Sequence, residues 1–421
     1  MVNLVVKMGK NFDADLYVLD EKQLMQYRHF DLEGIIDFNH ASLQRPFREV
    51  YEFLNSLEAK NISYRDGRAV VAKLVNLKDP SRVIFGRNTT EALSFAYWLA
   101  EVDTGKVVCT DAENDSIIRI FQEHRDHGNT KGKDGWSTFP DAIVAEDFEG
   151  LESIVKTPVT VVTIPVVQDN DYGKIIDSID KDTKLVIFSH VRRIDGYVAN
   201  IEQLARKVKE KNPNVYVAVD GAQALGNLPV IDFTKLEESG IDFYVATPHK
   251  TLGSYPLGIL HVSNRVIANL PKLEGLSPKS QIIMEGMLDE SHSITPNVTP
   301  KLKQERMISL VRAIEVLENG YLIGNDFSKK SEHAGGLKRY FISKLIDYDA
   351  TVLEKSNSAY SSGILPFRFN NKDNRGIVER LQRNGILTSY IAETNSIRLS
   401  FDIINTKRDV DKYFEILSKT I

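Results

Sequence analysis

Val245-Ala246-Thr247-Pro248-His249-Lys250-Thr251-Leu252-Gly253 lies between two apolar runs, Asp242-Phe243-Tyr244-Val245-Ala246 and Leu257-Gly258-Ile259-Leu260-His261-Val262. Both runs have strand length and are bounded by turn residues, so they are expected inside a sheet. The loop joining them then lies at the sheet's edge and holds Lys250 close to protein. A lysine in that place has two options. It can bury its stem and keep its ammonium in water. Alternatively it is partly desolvated, its pKa falls, and it can form a Schiff base with an aldehyde. Thr247 and His249 beside it can hold an anion.

A second stretch narrows the choice. Val215-Tyr216-Val217-Ala218-Val219-Asp220 is a short apolar strand ending in a carboxylate, and Gly221-Ala222-Gln223 follows it. An acid at the carboxyl end of such a strand faces the crevice in which open α/β sheets bind ligands. The order Asp220, Gln223, Lys250 resembles the fold-type I pyridoxal phosphate enzymes. Within them it is similar to the class V aminotransferase branch, with its cysteine desulfurase-like and isopenicillin N epimerase-like members. The resemblance runs from Asn39 to about Asp411. It implies an α/β fold, with a mostly parallel seven-stranded-type sheet sandwiched by helices and a smaller α+β C-terminal domain. The expected organisation is an N-terminal segment (1–45) packing near the active site and the small domain, a large cofactor-binding domain (46–298) and a small domain (299–421).

Bulk properties agree with a globular enzyme. A chain of 421 residues suggests two or three domain-sized units. Its 42% hydrophobic and 26% charged residues are ordinary for such proteins. A net charge of -5 gives no reason to expect nucleic acid or an acidic membrane as partner. No apolar run approaches the roughly 20 residues that span a bilayer, and the patch Met1 to Lys7 is too short for a signal segment. The single cysteine, Cys109, excludes an intramolecular disulfide framework and suits a reducing compartment. A cytoplasmic protein is expected. The nine histidines show no metal spacing, and no glycine pattern supports a phosphate loop or a dinucleotide site.

The remaining site candidates come in chain order. Asn39-His40-Ala41-Ser42 follows a short strand. It is an ordinary strand-to-turn exit, or the pocket-lining segment that it resembles in epimerase-like relatives, with Asn39 touching substrate. Thr89 and Thr90 open a helix after the strand Arg82-Val83-Ile84-Phe85. Backbone N–H groups at a helix start favour a phosphate, and the resemblance assigns both threonines to the cofactor phosphate. The alternative is a threonine N-cap. Cys109 sits inside a strand and reads as a small core residue. Asn114 occupies the place where the family carries a residue stacked on the cofactor ring, although an asparagine cannot stack as an imidazole does. Ser189-His190-Val191 ends another buried strand and is followed by Arg192 and Arg193. Two guanidiniums at a rim suit a second acidic group on the substrate, or they pair with Asp195 or Glu202. His292-Ser293-Ile294-Thr295-Pro296-Asn297 resembles a Gly-Thr-Pro-Asn signature, which implies that Thr295 reaches the phosphate of another subunit and that the protein is a homodimer with a shared active site. Arg398-Leu399-Ser400 resembles the C-terminal signature whose arginine takes the substrate α-carboxylate, a planar bidentate match.

The resemblance implies these roles for the rest. Lys250 holds pyridoxal 5'-phosphate and moves the Cα proton of an amino-acid substrate. Asp220 pairs with the ring nitrogen, Gln223 donates to the phenolic oxygen, and Thr89, Thr90, Thr247, His249 and Thr295 share the phosphate. The segment Ser356 to Gly363, where cysteine desulfurases of this branch carry a cysteine, has none. The expectation is therefore a lyase- or epimerase-like enzyme working through a Schiff base and a Cα carbanion, without a desulfurase cysteine and with desulfurase activity by the persulfide route rejected. An aminotransferase is the alternative, and a non-catalytic phosphate-ligand binding protein the minor one.

Overall fold

A computed structural model of the chain describes residues 35–42, 46–54, 64–86, 88–100, 105–113, 160–166, 172–269, 300–354 and 362–420. The first strand, β1 (Ile36–Asp37), leaves for the C-terminal part of the molecule. Seven strands then build one sheet: β2 (Val83–Gly86), β3 (Lys106–Thr110), β4 (Thr160–Ile164), β5 (Thr183–Ser189), β6 (Tyr216–Asp220), β7 (Phe243–Ala246) and β8 (Gly258–Val262). Their spatial order is β2-β8-β7-β6-β5-β3-β4. Strand β8 runs antiparallel to both its neighbours, and every other pairing is parallel. All residues of β2, β7 and β8 are buried, as a sheet covered on both faces requires.

Helices α1 (Arg48–Leu54), α2 (Tyr64–Leu74), α3 (Thr89–Leu99), α4 (Gly173–Asp177), α5 (Ile201–Lys211), α6 (Phe233–Glu238), α7 (Asn264–Asn269) and α8 (Pro300–Glu318) accompany the sheet. Strand side chains alternate between its two faces. Val108, Val186, Val217, Val219 and Tyr244 share one core with side chains of α5, α6 and α8. Val107, Cys109, Leu185, Ile187 and Val245 share the other with α3 and α7. Helix α5 shows how the pattern is read locally. Asn200 caps it by accepting from the Gln203 N–H, and Leu204, Ala205 and Val208 form its buried stripe.

The second domain holds α9 (Ser328–Leu345), β9 (Ala350–Val352), β10 (Ile364–Phe369), α10 (Asn374–Arg383), β11 (Ile386–Leu387), β12 (Ser389–Ile391), β13 (Ser396–Ser400) and α11 (Lys407–Ser418). Four strands pair antiparallel in the order β12-β13-β10-β9, while β1 pairs parallel with β11. An aromatic cluster of Phe341, Phe367, Phe401 and Tyr413 fills its core, together with Phe38 just after β1. Met307, Leu310, Ala313 and Leu317 of α8 belong to the large-sheet core instead, and α8 packs on α1 and α2. The first core thus continues past the boundary expected at residue 298.

Candidate active site

The carboxyl ends of β5, β6 and β7 lie side by side. Ser189 is in register with Asp220, and Asp220 with Val245. After β7, Thr247 stays extended and a single 3-10 turn, Pro248–Lys250, carries the lysine. Proline begins that turn because its φ is already set and its missing N–H costs nothing there. Gly253 closes the loop at φ 67°, and a Cβ there would stand 2.5 Å from the Phe47 ring.

Lys250 therefore projects where the three parallel strands end. Among the described residues its ammonium makes no hydrogen bond. Burial lowers its pKa, the attraction of Asp220 opposes that, and Arg398 and Arg193 add to the lowering. Burial likewise raises Asp220, against Lys250 and the Ala222 N–H; that N–H donates to Asp220 Oδ1 over 2.8 Å. Burial outweighs attraction on both partners, so each is poised to exchange a proton.

Gln223 donates its amide N–H to the Ala41 carbonyl at 2.6 Å, and its Oε1 is buried without a partner. The second amide hydrogen is left for a ligand. Thr247 donates its hydroxyl proton to the Leu257 carbonyl at 2.7 Å and accepts from His249 Nδ1 at 2.6 Å. It is 1% exposed. So placed, Thr247 braces the His249 ring, and its expected contact with the phosphate stands as a proposal. That ring is held neutral, pushed down to about 4 by burial and then by Lys250.

Thr89 and Thr90 occupy the first turn of α3. The cap is Asn88, whose side chain accepts from the Glu91 N–H at 2.9 Å, so neither threonine is spent as N-cap. Their hydroxyls make no hydrogen bond among the described residues and stand beside the positive end of the helix, where an anion is favoured.

Arg398 reaches across from β13. It donates to the Arg193 carbonyl (3.1 Å), Ser42 Oγ (2.8 Å) and Ser389 Oγ (3.3 Å), while its Nε is buried without a partner. Asn39 Oδ1 accepts from both serines. Asn39, Arg193 and Arg398 are therefore brought together, with Arg193 also paired to Glu393 at 3.0 Å. Burial, then Arg193, pushes the Arg398 guanidinium down to about 10.

Arg192 is not at this rim. It is 0% exposed, forked onto Asp195, donating to the Val166 carbonyl and lying 4.4 Å over the Tyr197 ring. Of the two arrangements expected for Arg192, the structure holds the pair with Asp195, formed within the turn that follows β5. Asn114 and Thr295 lie outside the described residues.

Three residues of the site were not singled out from the sequence. Ser42 sits in the quoted Asn39–Ser42 segment, but Ser389 is one hydroxyl on a three-residue strand and carries no local signal. Glu113 is an acid in the turn three residues past β3, a weaker signal than that of Asp220, which is itself the last residue of β6.

These donors fit pyridoxal 5'-phosphate. An uncommitted buried lysine suits its aldehyde, a carboxylate with one oxygen engaged suits its ring nitrogen, and two unengaged hydroxyls at a helix start suit its phosphate. The class-V aminotransferase family model matches residues 151–413, which include Asp220, Gln223, Lys250 and Arg398. The chain belongs to the class-V aminotransferase family. Pyridoxal 5'-phosphate is its cofactor, and the fold is that of the fold-type I enzymes.

Relatives of this class-V chain are cysteine desulfurases by name. A probable cysteine desulfurase of Borreliella burgdorferi is 25% identical over 99% of this chain and 97% of its own length. One of Halalkalibacterium halodurans is 25% identical over 85% and 82%. Among solved structures, a C-DES mutant with glycine covalently linked to the PLP cofactor superposes with TM-score 0.71 at 18% identity, over 96% of this chain and 100% of that one. The cysteine desulfurase CsdA of Escherichia coli gives 0.67 at 18% identity over 96% and 98%. The expected lyase- or epimerase-like reaction with desulfurase chemistry excluded is corrected by these relatives. The exclusion rested on a cysteine missing from one loop. A thiol missing from that loop does not exclude one supplied from outside the chain.

Proposed function

We propose that this enzyme removes sulfur from cysteine and passes it to a thiol outside the fold. The observation that carries the reading is the pair of near full-length relatives named cysteine desulfurases. The site geometry supports it. When bound, pyridoxal 5'-phosphate supplies an aldehyde for the amine and a ring that takes up electrons from Cα.

The chain's own residues do the rest. Arg398 binds the α-carboxylate through N–H groups now resting on the Ser42 and Ser389 hydroxyls. Lys250 would hold the cofactor through its aldehyde, and its side-chain amine is placed to take the proton from Cα. Asp220 keeps a proton on the ring nitrogen. Thr89 and Thr90 hold the phosphate. An external thiolate then attacks the substrate sulfur. An S–S bond forms, the C–S bond breaks with its electron pair going to Cβ, Cβ is protonated, and Lys250 returns its proton to Cα. The sum is cysteine plus thiol giving alanine plus persulfide.

Cys109 does not supply that thiol. It is 0% exposed in β3, turned into the core shared with α3, and burial pushes it up to about 11, so no thiolate is presented. The test is product analysis with L-cysteine, with and without added dithiothreitol. The expected result is alanine that matches the sulfur released, depends on the added thiol, and survives Cys109→Ala. No alanine or sulfide above background would overturn the reading, and thiol-independent alanine lost in the Cys109 variant would overturn the external acceptor. The same reading takes the enzyme as a homodimer, supported by the likeness around Thr295 and testable by sedimentation equilibrium.

A further inference from the structure

Glu113 ends the turn after β3, where the sheet reverses its direction of growth. The chain goes from β3 outward to edge strand β4, then returns to β5 on the other side and proceeds to β6 and β7. Crevices at such reversals are where these sheets take ligands. The Glu113 side chain is fully buried. Its Oε1 accepts from Thr110 Oγ1 at 2.6 Å and from the Ser189 N–H at 3.0 Å, and its Oε2 accepts from Ser189 Oγ at 2.6 Å. Ser189 is the register neighbour of Asp220, and the next residue's N–H, that of His190, donates to the Asp220 carbonyl at 2.9 Å. One carboxylate thus ties two strand ends together beside the group that meets the ring nitrogen.

We propose that Glu113 is a positioning residue for the cofactor ring: it clamps the turn leading to residue 114 onto the end of β5, and so holds Asp220 against the ring nitrogen. Three donors converge on it and no cation pairs with it among the described residues, an arrangement that suits a carboxylate whose charge lies behind that of Asp220. Burial opposes that charge, as does Asp220, and the carboxyl is pushed up to about 7. Titratable and charged groups around Glu113 and Asp220 include Asp111 on the same turn, Cys109 in β3, Tyr172 before α4, Tyr244 in β7 with His190 bonded to it, and the cations Lys250 and Arg192.

The proposal rests on the cofactor and not on the choice of substrate. Glu113→Gln keeps an acceptor for the Ser189 N–H and Thr110, and its amide can donate to Ser189 Oγ, so only the charge is lost. Glu113→Ala loses the clamp as well. Cofactor affinity is measured by titrating apoprotein with pyridoxal 5'-phosphate, and the visible band of the bound cofactor is followed against pH. The alanine variant is expected to bind the cofactor about tenfold or more weakly. The glutamine variant is expected to bind within about threefold of wild type, with the midpoint of the band lowered by about one pH unit because a nearby negative charge is gone. A residue that only supports the fold would lower the melting temperature and leave the band alone. An unmoved midpoint in the glutamine variant overturns the proposal, even if the alanine variant does not fold.

Discussion

Lys250, Asp220 and Arg398 are charged groups that the fold partly dries, and their chemistry follows from that. Arg398 has its Nη groups resting on the Arg193 carbonyl and two serine hydroxyls and its Nε unpartnered, a planar fork matched to a carboxylate. Arg398→Lys keeps a charge but loses the fork. The expected outcome is a KM for the amino-acid substrate raised by about tenfold or more with a smaller change in kcat, read from steady-state kinetics. His261 is a different case. It lies in β8, fully buried 4.5 Å from the Phe233 ring, with neither ring nitrogen partnered. Burial, then Arg82, pushes it down to about 3. Between that value and about 6.5 the unfolded chain takes up a proton that the folded chain refuses. Stability contributed by neutral His261 is therefore present above about 6.5 and is lost as pH falls, by up to about 1.4 kcal/mol per unit. His261→Leu is expected to show a smaller drop in urea midpoint from pH 7 to pH 5 than wild type. Asp220 was legible because it ends an apolar run and Lys250 because it sits in the polar loop between two such runs, whereas Arg398, in the middle of β13, was marked by its likeness to a family signature. Arg192 and Arg193 were not separable, since adjacent residues of one type can face core and rim.

At the element scale, the phosphate end of the site depends on how closely β8 approaches α3. Gly258 pairs with Gly86 across β8 and β2, and a Cβ at Gly258 would stand 2.1 Å from the Asn88 carbonyl oxygen. That is the backbone of the residue capping α3. Gly258→Ala must push the cap, and with it Thr89 and Thr90. The expected result is cofactor affinity lowered by about tenfold or more with the sheet retained, checked by titration with pyridoxal 5'-phosphate alongside far-ultraviolet circular dichroism. The helix start at Thr89 could be read from the residues, since hydroxyls precede an apolar run. The true cap, Asn88, could not be chosen over its neighbours, because any of three polar residues satisfies the local rule.

At the scale of the whole molecule, the two domains are joined by polar contacts that no single stretch encodes. Lys330 of α9 pairs with Asp402 at 2.6 Å, both 1% exposed, and also donates to Asn227 of the large domain at 3.2 Å. Asn405 Oδ1 accepts from His40 Nε2 at 3.1 Å, and its amide N–H donates to the Asp37 carbonyl. Lys330→Met leaves Asp402 buried and unpaired, which is expected to cost about 3–5 kcal/mol in equilibrium unfolding by urea. The substrate end of the site lies along this seam, since Asn39 and Ser42 come from the N-terminal segment, Arg193 from the large domain, and Ser389 and Arg398 from the small one.

Sequence alone determined the α/β class, the strand ends that carry Asp220 and Lys250, and the arginine of the second domain. The class and the strand ends follow from local periodicity and from polar residues placed where apolar runs stop, and the arginine from the resemblance of its flanking residues to a family signature. Tertiary structure decided what no window of residues contains: that α8 joins the first core, that Arg192 is sealed against Asp195, that Thr247 braces His249, and that Glu113 grips the strand next to Asp220. Each is a choice between partners far apart in the chain, and burial, which makes an unpaired charge or hydrogen-bonding group costly, decides among them only after the chain has folded.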